Sequence, residues 1–584
     1  MMNENTTSNV LLAISNLSVS YPLEVNTPAN SEDQQGADFF ALRDICLTVK
    51  AGQIVGVVGE SGAGKSTIGK AVLGLLDPNA RIRSGEISLN SEELLHCSES
   101  QYEKIRGRKI GYIYQNPMTA LNPVLTIGEQ VIEAIEANTS KIGGEARKYA
   151  IELLEQADVS LAEDRLSKYP HQLSGGLCQR IVFAIAIAAN PALIIADEPT
   201  TALDVTVQKS VLQTLRKLSQ QHQVAIILIT HDMGVVAEMC NYVYVLRHGQ
   251  HVEQGKTKAL IHHPQQDYTK SLMASVPRMD ERLHRFVLPE GPSMKDNASV
   301  MSYLTQRKER DSFSHDSEVA VLQVKNLTKT FVTPATLFKK SQLFTAVSDV
   351  SFNVYKGETV GIVGESGSGK STIGRMILGL HSLTQGEVQY RGIDLYSDLN
   401  NHAVKQLRLS MQCIFQDPYS SLNPRMTAGE NITYGAQVQG LVPAREAKAL
   451  AQDLMALVGL PSTDTNKMPN AFSGGERQRI GIARALAYRP EFIFCDEPTS
   501  ALDVSVQADL LNLLKDLQEQ LSLTLLFVSH DLAVIRQMCD RVIVMKDGKV
   551  VEAGDNEAIF TQPQAQYTQS LLEAMPRFDR VGSV

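Results

Sequence analysis

The sequence is poor in cysteine and in long hydrophobic runs. Its seven cysteines are scattered and form no C-x-x-C pair, which favours a reducing compartment and argues against a structural zinc or iron–sulfur site. The polar start "MMNENTTSN" lacks the charged and then apolar design of a signal peptide. The longest apolar run, "IVFAIAIAA" at 181–189, has about half of the roughly 20 residues that cross a bilayer. We therefore expect a cytosolic chain.

An excess of positive charge is also missing. The 55 Lys and Arg residues are outnumbered by 64 Asp and Glu residues, which gives a net charge of −9. This balance argues against sequence-independent binding to nucleic acid or to an anionic membrane surface. Hydrophobic residues make up 43% and charged residues 20% of the chain, as is usual for soluble globular proteins. A length of 584 residues is too great for one core and predicts roughly two to four domains.

The motifs that are present occur twice. The repeated segments are "GVVGESGAGKST" (56–67) with "GIVGESGSGKST" (361–372), "LIIADEPTTALDVTVQ" (193–208) with "FIFCDEPTSALDVSVQ" (492–507), and "LITHDMGVV" (228–236) with "FVSHDLAVI" (527–535). The same 23 residues separate Ser174 from Asp197 and Ser473 from Asp496. Such self-similarity predicts two domains of one kind.

The repeat also predicts the domain boundaries. We expect a first domain at 1–278, a linker at 279–318 and a second domain at 319–584, with a C-terminal tail in each domain. In each copy, buried strands such as "IVGVV" and "ALIIAD" alternate with helical segments, which indicates an α/β fold with a mainly parallel sheet between helices. Residues of about 125–170 and 430–470 have a helical composition and are predicted to form an inserted helical subdomain.

Two glycine-rich loops match the phosphate-loop pattern G-x-x-x-x-G-K-[ST], each after an apolar strand. Glycine lets successive backbone N–H groups converge on phosphate oxygens at a helix N-terminus. In such a loop the lysine is expected to reach the outer phosphates and the following serine to ligate Mg²⁺. The residues expected to bind ATP are Gly59, Glu60, Ser61, Gly62, Ala63, Gly64, Lys65, Ser66, Thr67, Gly364, Glu365, Ser366, Gly367, Ser368, Gly369, Lys370, Ser371 and Thr372.

Polar residues after other apolar strands complete two hydrolytic sites. In an adjacent Asp-Glu pair one carboxylate can face the metal while its neighbour polarises the attacking water. A histidine after the next strand favours a γ-phosphate contact, and a glutamine after a short strand favours orientation of water and metal, although both also fit structural roles. The predicted metal ligands are Ser66, Gln115, Asp197, Ser371, Gln416 and Asp496. The predicted catalytic residues are Glu198, Glu497, His231 and His530.

Tyr21 and Phe331 close the matching segments "NLSVSY" and "NLTKTF". An aromatic face at this position is predicted to stack on adenine. The alternative is a hydrophobic residue on an edge strand.

A helix that begins with Ser-Gly-Gly in each copy has free N–H groups and a positive dipole end but no lysine. Because each copy already binds a nucleotide through its own lysine, we infer that this helix caps the γ-phosphate held by the other copy. ATP would then lie twice in a head-to-tail sandwich, between Lys65 and Ser473 and between Lys370 and Ser174. The residues predicted to form the two caps are Ser174, Gly175, Gly176, Ser473, Gly474, Gly475 and Glu476.

Taken in this order, the phosphate loop, S-G-G, D-E-P, "TALD" or "SALD" and the histidine resemble the ATP-binding cassette ATPases over both halves. The resemblance implies two tandem P-loop NTPase domains, each with a mainly parallel sheet core, an antiparallel β subdomain and a helical subdomain. It also implies that Asp204 and Asp503 form the contact loop across the dimer. The loops after Gln115 and Gln416 would dock on transmembrane subunits.

Within this superfamily the chain resembles the fused two-cassette ATPases of bacterial peptide, glutathione and nickel importers. The supporting segments are "QNPMTALNP" (115–123), "QDPYSSLNP" (416–424), "YPHQLSGG" (169–176), "HHPQQDYTKSLMASVPR" (262–278) and "TQPQAQYTQSLLEAMPR" (561–577). The resemblance implies an ATP-hydrolysing, energy-coupling subunit that uses ATP and Mg²⁺. Di- or oligopeptides or glutathione are the expected cargo, and nickel or another small solute is the alternative.

The same resemblance implies the partners and the location. The expected partners are two transmembrane permease subunits and, indirectly, a periplasmic or extracellular substrate-binding protein. The expected location is peripheral, on the cytoplasmic face of the bacterial inner membrane, without a nucleic acid partner.

The chain departs from this family pattern at two places. Gln562 stands where the second tail is expected to have histidine, and the first cap continues with Leu177 and Cys178 where the second has "ERQR". Because leucine cannot form the hydrogen bond that Glu476 can, we expect the site capped by Ser174 to be the weaker one. Cys178 is expected to be a packed helix residue.

Other classes fit the sequence less well. A twin-cassette factor that acts on ribosomes needs a basic linker, whereas residues 279–318 hold 6 Lys or Arg against 8 Asp or Glu. A chromosome or DNA-repair ATPase would need a long coiled coil or zinc cysteines, and an exporter would usually carry fused membrane helices. The sequence has none of these.

Overall fold

A computed structural model of the chain describes residues 10–22, 38–200, 203–279, 281–286, 298–305, 320–333, 342–397, 402–500 and 502–575. These residues form two compact units, one within residues 1–273 and one spanning 274–575.

The first unit contains ten strands and eleven helices among its described residues. In chain order they are β1 (Val10–Pro22), β2 (Asp38–Lys50), β3 (Ile54–Val58), α1 (Lys65–Val72), β4 (Arg81–Leu89), β5 (Glu92–Glu93), α2 (Glu99–Ile105), β6 (Ile110–Ile113), α3 (Pro117–Ala120), α4 (Ile127–Asn138), α5 (Gly143–Gln156), α6 (Ala162–Arg165), a 3-10 turn (Pro170–Gln172), α7 (Gly175–Ile187), β7 (Leu193–Asp197), α8 (Val205–His222), β8 (Ala225–Ile229), α9 (Met233–Met239), β9 (Tyr242–Arg247), β10 (Gln250–Lys256), α10 (Thr257–His262) and α11 (Asp267–Ala274).

A six-stranded sheet in the order β10-β9-β3-β8-β7-β6 forms the centre of this unit. All neighbours are parallel except β9 and β10. The strands β3, β7 and β8 are buried at every residue, as expected where helices cover both faces of a parallel sheet. Since parallel strands end at one edge, the loops after β3, β6, β7 and β8 meet there.

A second, antiparallel sheet in the order β2-β1-β4-β5 packs on this centre. Leu12 and Leu42 of the antiparallel sheet share one hydrophobic cluster with Val55 and Val57 of β3 and with Ile68 of α1. The phosphate-loop helix is therefore held between two sheets.

The second unit repeats this plan. In chain order its described elements are α12 (Ala298–Thr305), β11 (Ala320–Thr333), β12 (Gln342–Tyr355), β13 (Thr359–Val363), α13 (Lys370–Ile377), β14 (Gln385–Tyr390), β15 (Ile393–Asp394), α14 (His402–Leu409), β16 (Met411–Ile414), α15 (Pro418–Ser421), α16 (Ala428–Val438), α17 (Ala444–Leu457), two 3-10 turns (Ser462–Asn466 and Pro469–Ala471), α18 (Gly474–Leu486), β17 (Phe492–Asp496), α19 (Val504–Leu521), β18 (Thr524–Val528), α20 (Leu532–Met538), β19 (Arg541–Lys546), β20 (Lys549–Asp555), α21 (Asn556–Thr561) and α22 (Gln566–Ala574). Its sheets have the orders β16-β17-β18-β13-β19-β20 and β12-β11-β14-β15.

The segments predicted to form helical subdomains are helical. In the first unit, α4 begins with a capping box of Thr126 and Glu129 and buries Ile127, Val131 and Ile135 along one face, the spacing of an amphipathic helix. Helix α16 begins with the equivalent box of Thr427 and Glu430. The prediction of an inserted helical subdomain in each copy is confirmed.

Part of the predicted linker lies on the second unit. Arg285 forms ion pairs with Asp516 and Glu519 of α19 at 2.9 and 2.8 Å, and Phe286 is buried. Further along, the Tyr303 hydroxyl of α12 donates to the Ala487 carbonyl oxygen at 2.8 Å. The boundaries at 278 and 319 stay predictions, but these described stretches of the linker are ordered parts of the second unit.

In the described part of the chain, no helix combines the length and the apolar composition that a membrane crossing requires.

Candidate functional site

The two phosphate loops have the geometry that the motif predicts. Gly64 precedes α1 with a φ of 91°, and a Cβ at this position would collide with the carbonyl oxygen of Ala41 at 2.5 Å, so the turn requires glycine. Lys65 is buried, and its Nζ donates to the carbonyl oxygens of Gly59 and Glu60 at 2.8 and 2.9 Å. The loop thus holds its lysine at the N-terminus of α1.

The second loop repeats this arrangement. Lys370 is buried and donates to the carbonyl oxygens of Gly364 and Glu365 at 2.8 Å each. Gly369 has a φ of 97° at the start of α13.

Each loop serine is joined to the aspartate predicted to hold Mg²⁺. Ser66 Oγ donates to Asp197 Oδ1 at 3.0 Å, and Ser371 Oγ donates to Asp496 Oδ1 at 2.7 Å. Both aspartates end a buried strand and are almost fully buried, and this burial raises the pKa of each carboxyl group. A hydroxyl beside a carboxylate is an oxygen pair of the kind that Mg²⁺ prefers.

The glutamates predicted to be catalytic stand between the predicted glutamine and histidine. Gln115 Nε2 donates to Glu198 Oε2 at 2.6 Å, and His231 Nδ1 lies 3.1 Å from Glu198 Oε1. In the second unit, Gln416 Nε2 donates to Glu497 Oε2 at 2.9 Å, and His530 Nδ1 lies 3.0 Å from the same oxygen. Three side chains from the ends of three strands therefore meet in each unit.

Both glutamates have left-handed backbones, with φ of 46° at Glu198 and 47° at Glu497. This conformation is uncommon for a residue other than glycine and is found at functional sites. The backbone N–H of Glu198 donates to the Ile229 carbonyl oxygen at 2.8 Å, and that of Glu497 donates to the Val528 carbonyl oxygen at 3.0 Å. These bonds hold the strained turn against the neighbouring strand.

The electrostatics of the second site favour an ionised pair. Burial opposes ionisation of Glu497, but the hydrogen bond and charge of His530 and the charge of Lys370 lower its pKa overall. Burial likewise opposes the cationic form of His530, but its hydrogen bond to Glu497 raises its pKa overall. Glu497 is thus held as a carboxylate, the form that can accept a proton from water.

The helices that begin with Ser-Gly-Gly start where predicted, but their caps differ. In α18 the backbone N–H and the hydroxyl of Ser473 both donate to Glu476 Oε2 at 2.8 Å, and the Glu476 N–H donates back to Ser473 Oγ at 3.3 Å. Among the described contacts, the cap of α7 is one hydrogen bond from the Leu177 N–H to Ser174 Oγ at 3.4 Å. Cys178 is buried.

The remaining cap residues are the glycines of the first helical turn. Their positions are Gly175 and Gly176 in α7, and Gly474 and Gly475 in α18. A Cβ at Gly176 or Gly475 would collide with a valine of the following helix, so glycine also permits close helix packing here.

The predicted adenine-stacking residues lie at corresponding strand positions. The Tyr21 hydroxyl donates to Asp77 Oδ2 at 3.4 Å, and the Phe331 ring lies 5.7 Å from the His381 ring. Both contacts are with residues shortly after the phosphate-loop helix. Adenine stacking stays a prediction.

Two tyrosines at these sites were not found by the sequence argument. The Tyr112 hydroxyl donates to Asp197 Oδ2 at 2.9 Å. The Tyr567 hydroxyl of α22 accepts the Glu365 backbone N–H at 3.3 Å, which links the second C-terminal tail to its phosphate loop. For Tyr112 a signal was available, because it lies on the short strand before Gln115, and this strand pairs in parallel with the strand that ends at Asp197.

Comparison with known proteins defines the class. Residues 42–201 and 347–500, together more than half of the chain, match the family described as ABC transporter, and the chain belongs to this family. Residues 252–298 and 551–583 match the oligopeptide/dipeptide transporter C-terminal region.

The chain is similar to particular curated proteins along nearly its whole length. The glutathione import ATP-binding protein GsiA of Salmonella paratyphi A is 40% identical over 555 residues, which cover 93% of this chain and 88% of that protein. The protein of the same name from Escherichia coli K12 is 39% identical over 576 residues, which cover 97% of this chain and 89% of that protein. A solved structure of a dimeric ATP-binding cassette bound to ADP and Pi is 30% identical over 42% of this chain and 99% of that chain, with a TM-score of 0.37.

The predicted class and fold are confirmed. The chain consists of two ATP-binding cassettes and is an ATP-hydrolysing subunit of an ABC transporter, a class of subunit that works with membrane permeases.

Proposed function

We propose that the chain is the energy-coupling subunit of an importer for di- or oligopeptides or for glutathione. The observation that carries the proposal is the oligopeptide/dipeptide transporter C-terminal region after each of two complete cassettes. The long similarity to glutathione import ATP-binding proteins supports it. The cargo itself would be selected by two permease subunits and an external substrate-binding protein, and the chain would sit peripherally on the cytoplasmic face of the bacterial inner membrane.

At each site different residues would bind the phosphates and accept the proton. Lys65 and Lys370 would hold the outer phosphates, and the phosphate-loop N–H groups would cradle them. Glu198 and Glu497 would accept a proton from the attacking water, and the partner glutamine and histidine would orient that carboxylate and the γ-phosphate. Most of the rate acceleration would come from charge neutralisation and positioning.

Mg²⁺ fits the same residues. Each site offers a serine hydroxyl bonded to an aspartate carboxylate and a glutamine amide close to the neighbouring glutamate, which is an all-oxygen ligand set. The predicted ligands Ser66, Gln115 and Asp197, with their counterparts in the second cassette, would hold Mg²⁺. The ion would neutralise charge that develops on the transferred phosphoryl group.

We further propose that the two cassettes complete each other's sites. Ser473 and Glu476 would cap the nucleotide held by Lys65, and Ser174 would cap the nucleotide held by Lys370. ATP binding would then favour the closed pair and hydrolysis would reopen it, so that the cycle moves the permeases. The single-bond cap at Ser174 supports the expectation that it closes the weaker site.

The direct test is the double variant Glu198→Gln and Glu497→Gln. It keeps the size of both side chains but removes the negatively charged carboxylate that accepts the proton. We expect ATP turnover to fall by roughly 10²-fold or more, with ATP retained after gel filtration. A variant of the exposed Glu573, Glu573→Gln, is the matched control and should turn over ATP normally. Undiminished turnover in the double variant would rule out these two glutamates as bases.

A further inference from the structure

The metal-binding aspartates of the two cassettes have different surroundings. Asp197 accepts a hydrogen bond on each oxygen, from Ser66 on Oδ1 at 3.0 Å and from Tyr112 on Oδ2 at 2.9 Å. Asp496 accepts from Ser371 on Oδ1 at 2.7 Å, and the described residues supply no second side-chain hydrogen bond to it. The two carboxylates are therefore fixed to different degrees.

The difference comes from an exchange of one aromatic ring between neighbouring strands. In the first cassette Tyr112 of β6 pairs with Ile195 of β7, and in the second Cys413 of β16 pairs with Phe494 of β17. Each cassette thus has one aromatic residue in this pair of positions, but it stands on opposite strands.

Each ring packs against a glycine of the phosphate-loop helix. A Cβ at Gly69 would lie 3.5 Å from Tyr112 Cε2, and a Cβ at Gly374 would collide with the Phe494 ring. The rings therefore fill similar space beside the loop helix. Only the ring of the first cassette carries a hydroxyl, and this hydroxyl reaches the aspartate.

The residue that replaces Tyr112 cannot substitute for it. Cys413 is partly buried, and burial and the nearby Asp496 raise the pKa of its thiol to about 12. A neutral thiol is a weak hydrogen-bond donor, and no bond from Cys413 to Asp496 is present among the described contacts. Burial raises the pKa of Asp496 overall, and the charge of the nearby Arg375 only opposes that rise. No hydrogen bond from Arg375 to the Asp496 carboxylate is present among the described contacts.

We propose that Tyr112 is a positioning residue for the divalent cation of the first cassette, whose hydroxyl fixes the orientation of Asp197 so that this cassette binds the cation more tightly than the second. Groups that hold a metal-ligating carboxylate in place typically contribute 10–100-fold to metal affinity. The inference rests on the proposed Mg²⁺–ATP sites and adds an inequality between them.

The test uses the full chain, a non-hydrolysable ATP analogue and Mn²⁺, with free Mn²⁺ followed by electron paramagnetic resonance. We expect two classes of Mn²⁺ site in the native chain. Tyr112→Phe should weaken the tighter class about tenfold and leave the weaker class unchanged. Binding of the analogue in EDTA should not change, because the ring and its packing are kept.

Tyr114→Phe is the matched control, since Tyr114 lies two residues further on, is about half exposed, and has its ring 4.6 Å from that of Tyr112. It should leave both Mn²⁺ classes unchanged. In ATP hydrolysis, Tyr112→Phe should raise the half-activating Mg²⁺ concentration several-fold while turnover at saturating Mg²⁺ is largely kept.

Three results would overturn the inference. The first is that Tyr112→Phe leaves both Mn²⁺ classes unchanged, and the second is that it weakens metal-free binding of the analogue as much as Mn²⁺ binding, which would indicate a general structural role. The third is that neither cassette binds Mn²⁺ with nucleotide, which would refute the proposed Mg²⁺–ATP sites and the inference with them.

Discussion

The side chain of Asn512 holds the backbone of Phe286 by two hydrogen bonds. Asn512 Oδ1 accepts the Phe286 N–H at 2.9 Å, and Asn512 Nδ2 donates to the Phe286 carbonyl oxygen at 3.0 Å. The two residues are 226 positions apart, so helix α19 of the second cassette binds the linker that follows the first cassette. The Phe286 side chain is buried at the same place.

These two hydrogen bonds predict that Asn512→Ala makes the amide groups of residues 281–286 exchange faster. Losing two hydrogen bonds at a partly buried backbone should cost about 1–3 kcal/mol locally, which corresponds to roughly 5- to 150-fold faster amide exchange of Phe286. Hydrogen–deuterium exchange by mass spectrometry measures it. Gln520→Ala, at an exposed position of the same helix, should leave this peptide unchanged. Equal amide protection of this peptide in Asn512→Ala and Gln520→Ala would contradict a role of Asn512 in holding the linker.

Lys515 lies at the same contact, and we expect it to make the stability of the chain depend on pH. Its Nζ donates to the carbonyl oxygens of Leu283 and His284 at 2.9 and 3.1 Å. Burial, with the charges of Arg285 and Arg282, lowers the pKa of Lys515 to about 8. In the unfolded chain the pKa of this lysine is about 10.4. Between about pH 8 and pH 10.4 the unfolded state therefore binds more protons than the folded state. The free energy of unfolding should increase as pH rises through this range.

The expected gain is about 1–2 kcal/mol between pH 8 and 10, after allowance for solvent screening of a partly exposed group. It is measured as the difference in free energy of unfolding between the native chain and Lys515→Met, by urea denaturation at several pH values. A difference that stays constant from pH 7 to pH 10 would contradict the lowered pKa.

We expect the C-terminal tail of the second cassette to support nucleotide binding through Tyr567. Its hydroxyl accepts a phosphate-loop N–H, and its ring lies 4.7 Å from Lys546 Nζ at the end of β19. Tyr567→Phe keeps the ring and removes the acceptor, which should cost about 0.5–1.5 kcal/mol, or roughly 2- to 12-fold in ATP affinity. Titration with a fluorescent nucleotide measures this, and Tyr434→Phe at an exposed position is the control. Unchanged affinity in Tyr567→Phe would show that the tail does not support the loop.

The unequal helix caps predict a gain of function at the nucleotide site that we propose Ser174 closes, which is the site held by Lys370. Leu177→Glu would give Ser174 the capping box that Ser473 forms with Glu476, which should stabilise α7 by about 0.5–1 kcal/mol. We expect slower amide exchange at the start of α7 and a higher rate of ATP hydrolysis by the full chain. Glu476→Leu should change the second cap in the opposite direction. If both variants exchange and hydrolyse like the native chain, the caps do not account for any inequality between the sites.

The fold and most of the site follow from local patterns. Strands such as Ile54–Val58 are continuous apolar runs that occur only where both faces are covered, and polar residues that follow such strands must meet at one sheet edge. Ser66, Asp197, Glu198 and His231 could therefore be placed together from the sequence. The contacts of Ser66 with Asp197 and of His231 with Glu198 agree with that placement.

Other features depend on pairings that no local pattern contains. The bond from Tyr112 to Asp197 requires the register between two strands whose paired residues are 83 positions apart in the chain. The second cassette lacks this bond because its aromatic residue, Phe494, lies on the neighbouring strand. Arg285 and Phe286 lie in a mixed-charge segment without periodicity, and their partners Asp516 and Asn512 are more than 200 residues away. Such contacts become visible only once the sheets and helices are assembled.

The claim that each cassette completes the other's nucleotide site is tested most directly by a structure of the Glu198→Gln and Glu497→Gln chain with Mg²⁺ and ATP. The account predicts Ser473 Oγ within hydrogen-bond distance of the γ-phosphate held by Lys65, and Ser174 Oγ equally close to the γ-phosphate held by Lys370. A structure with ATP at both phosphate loops and each serine far from the opposite nucleotide would contradict it.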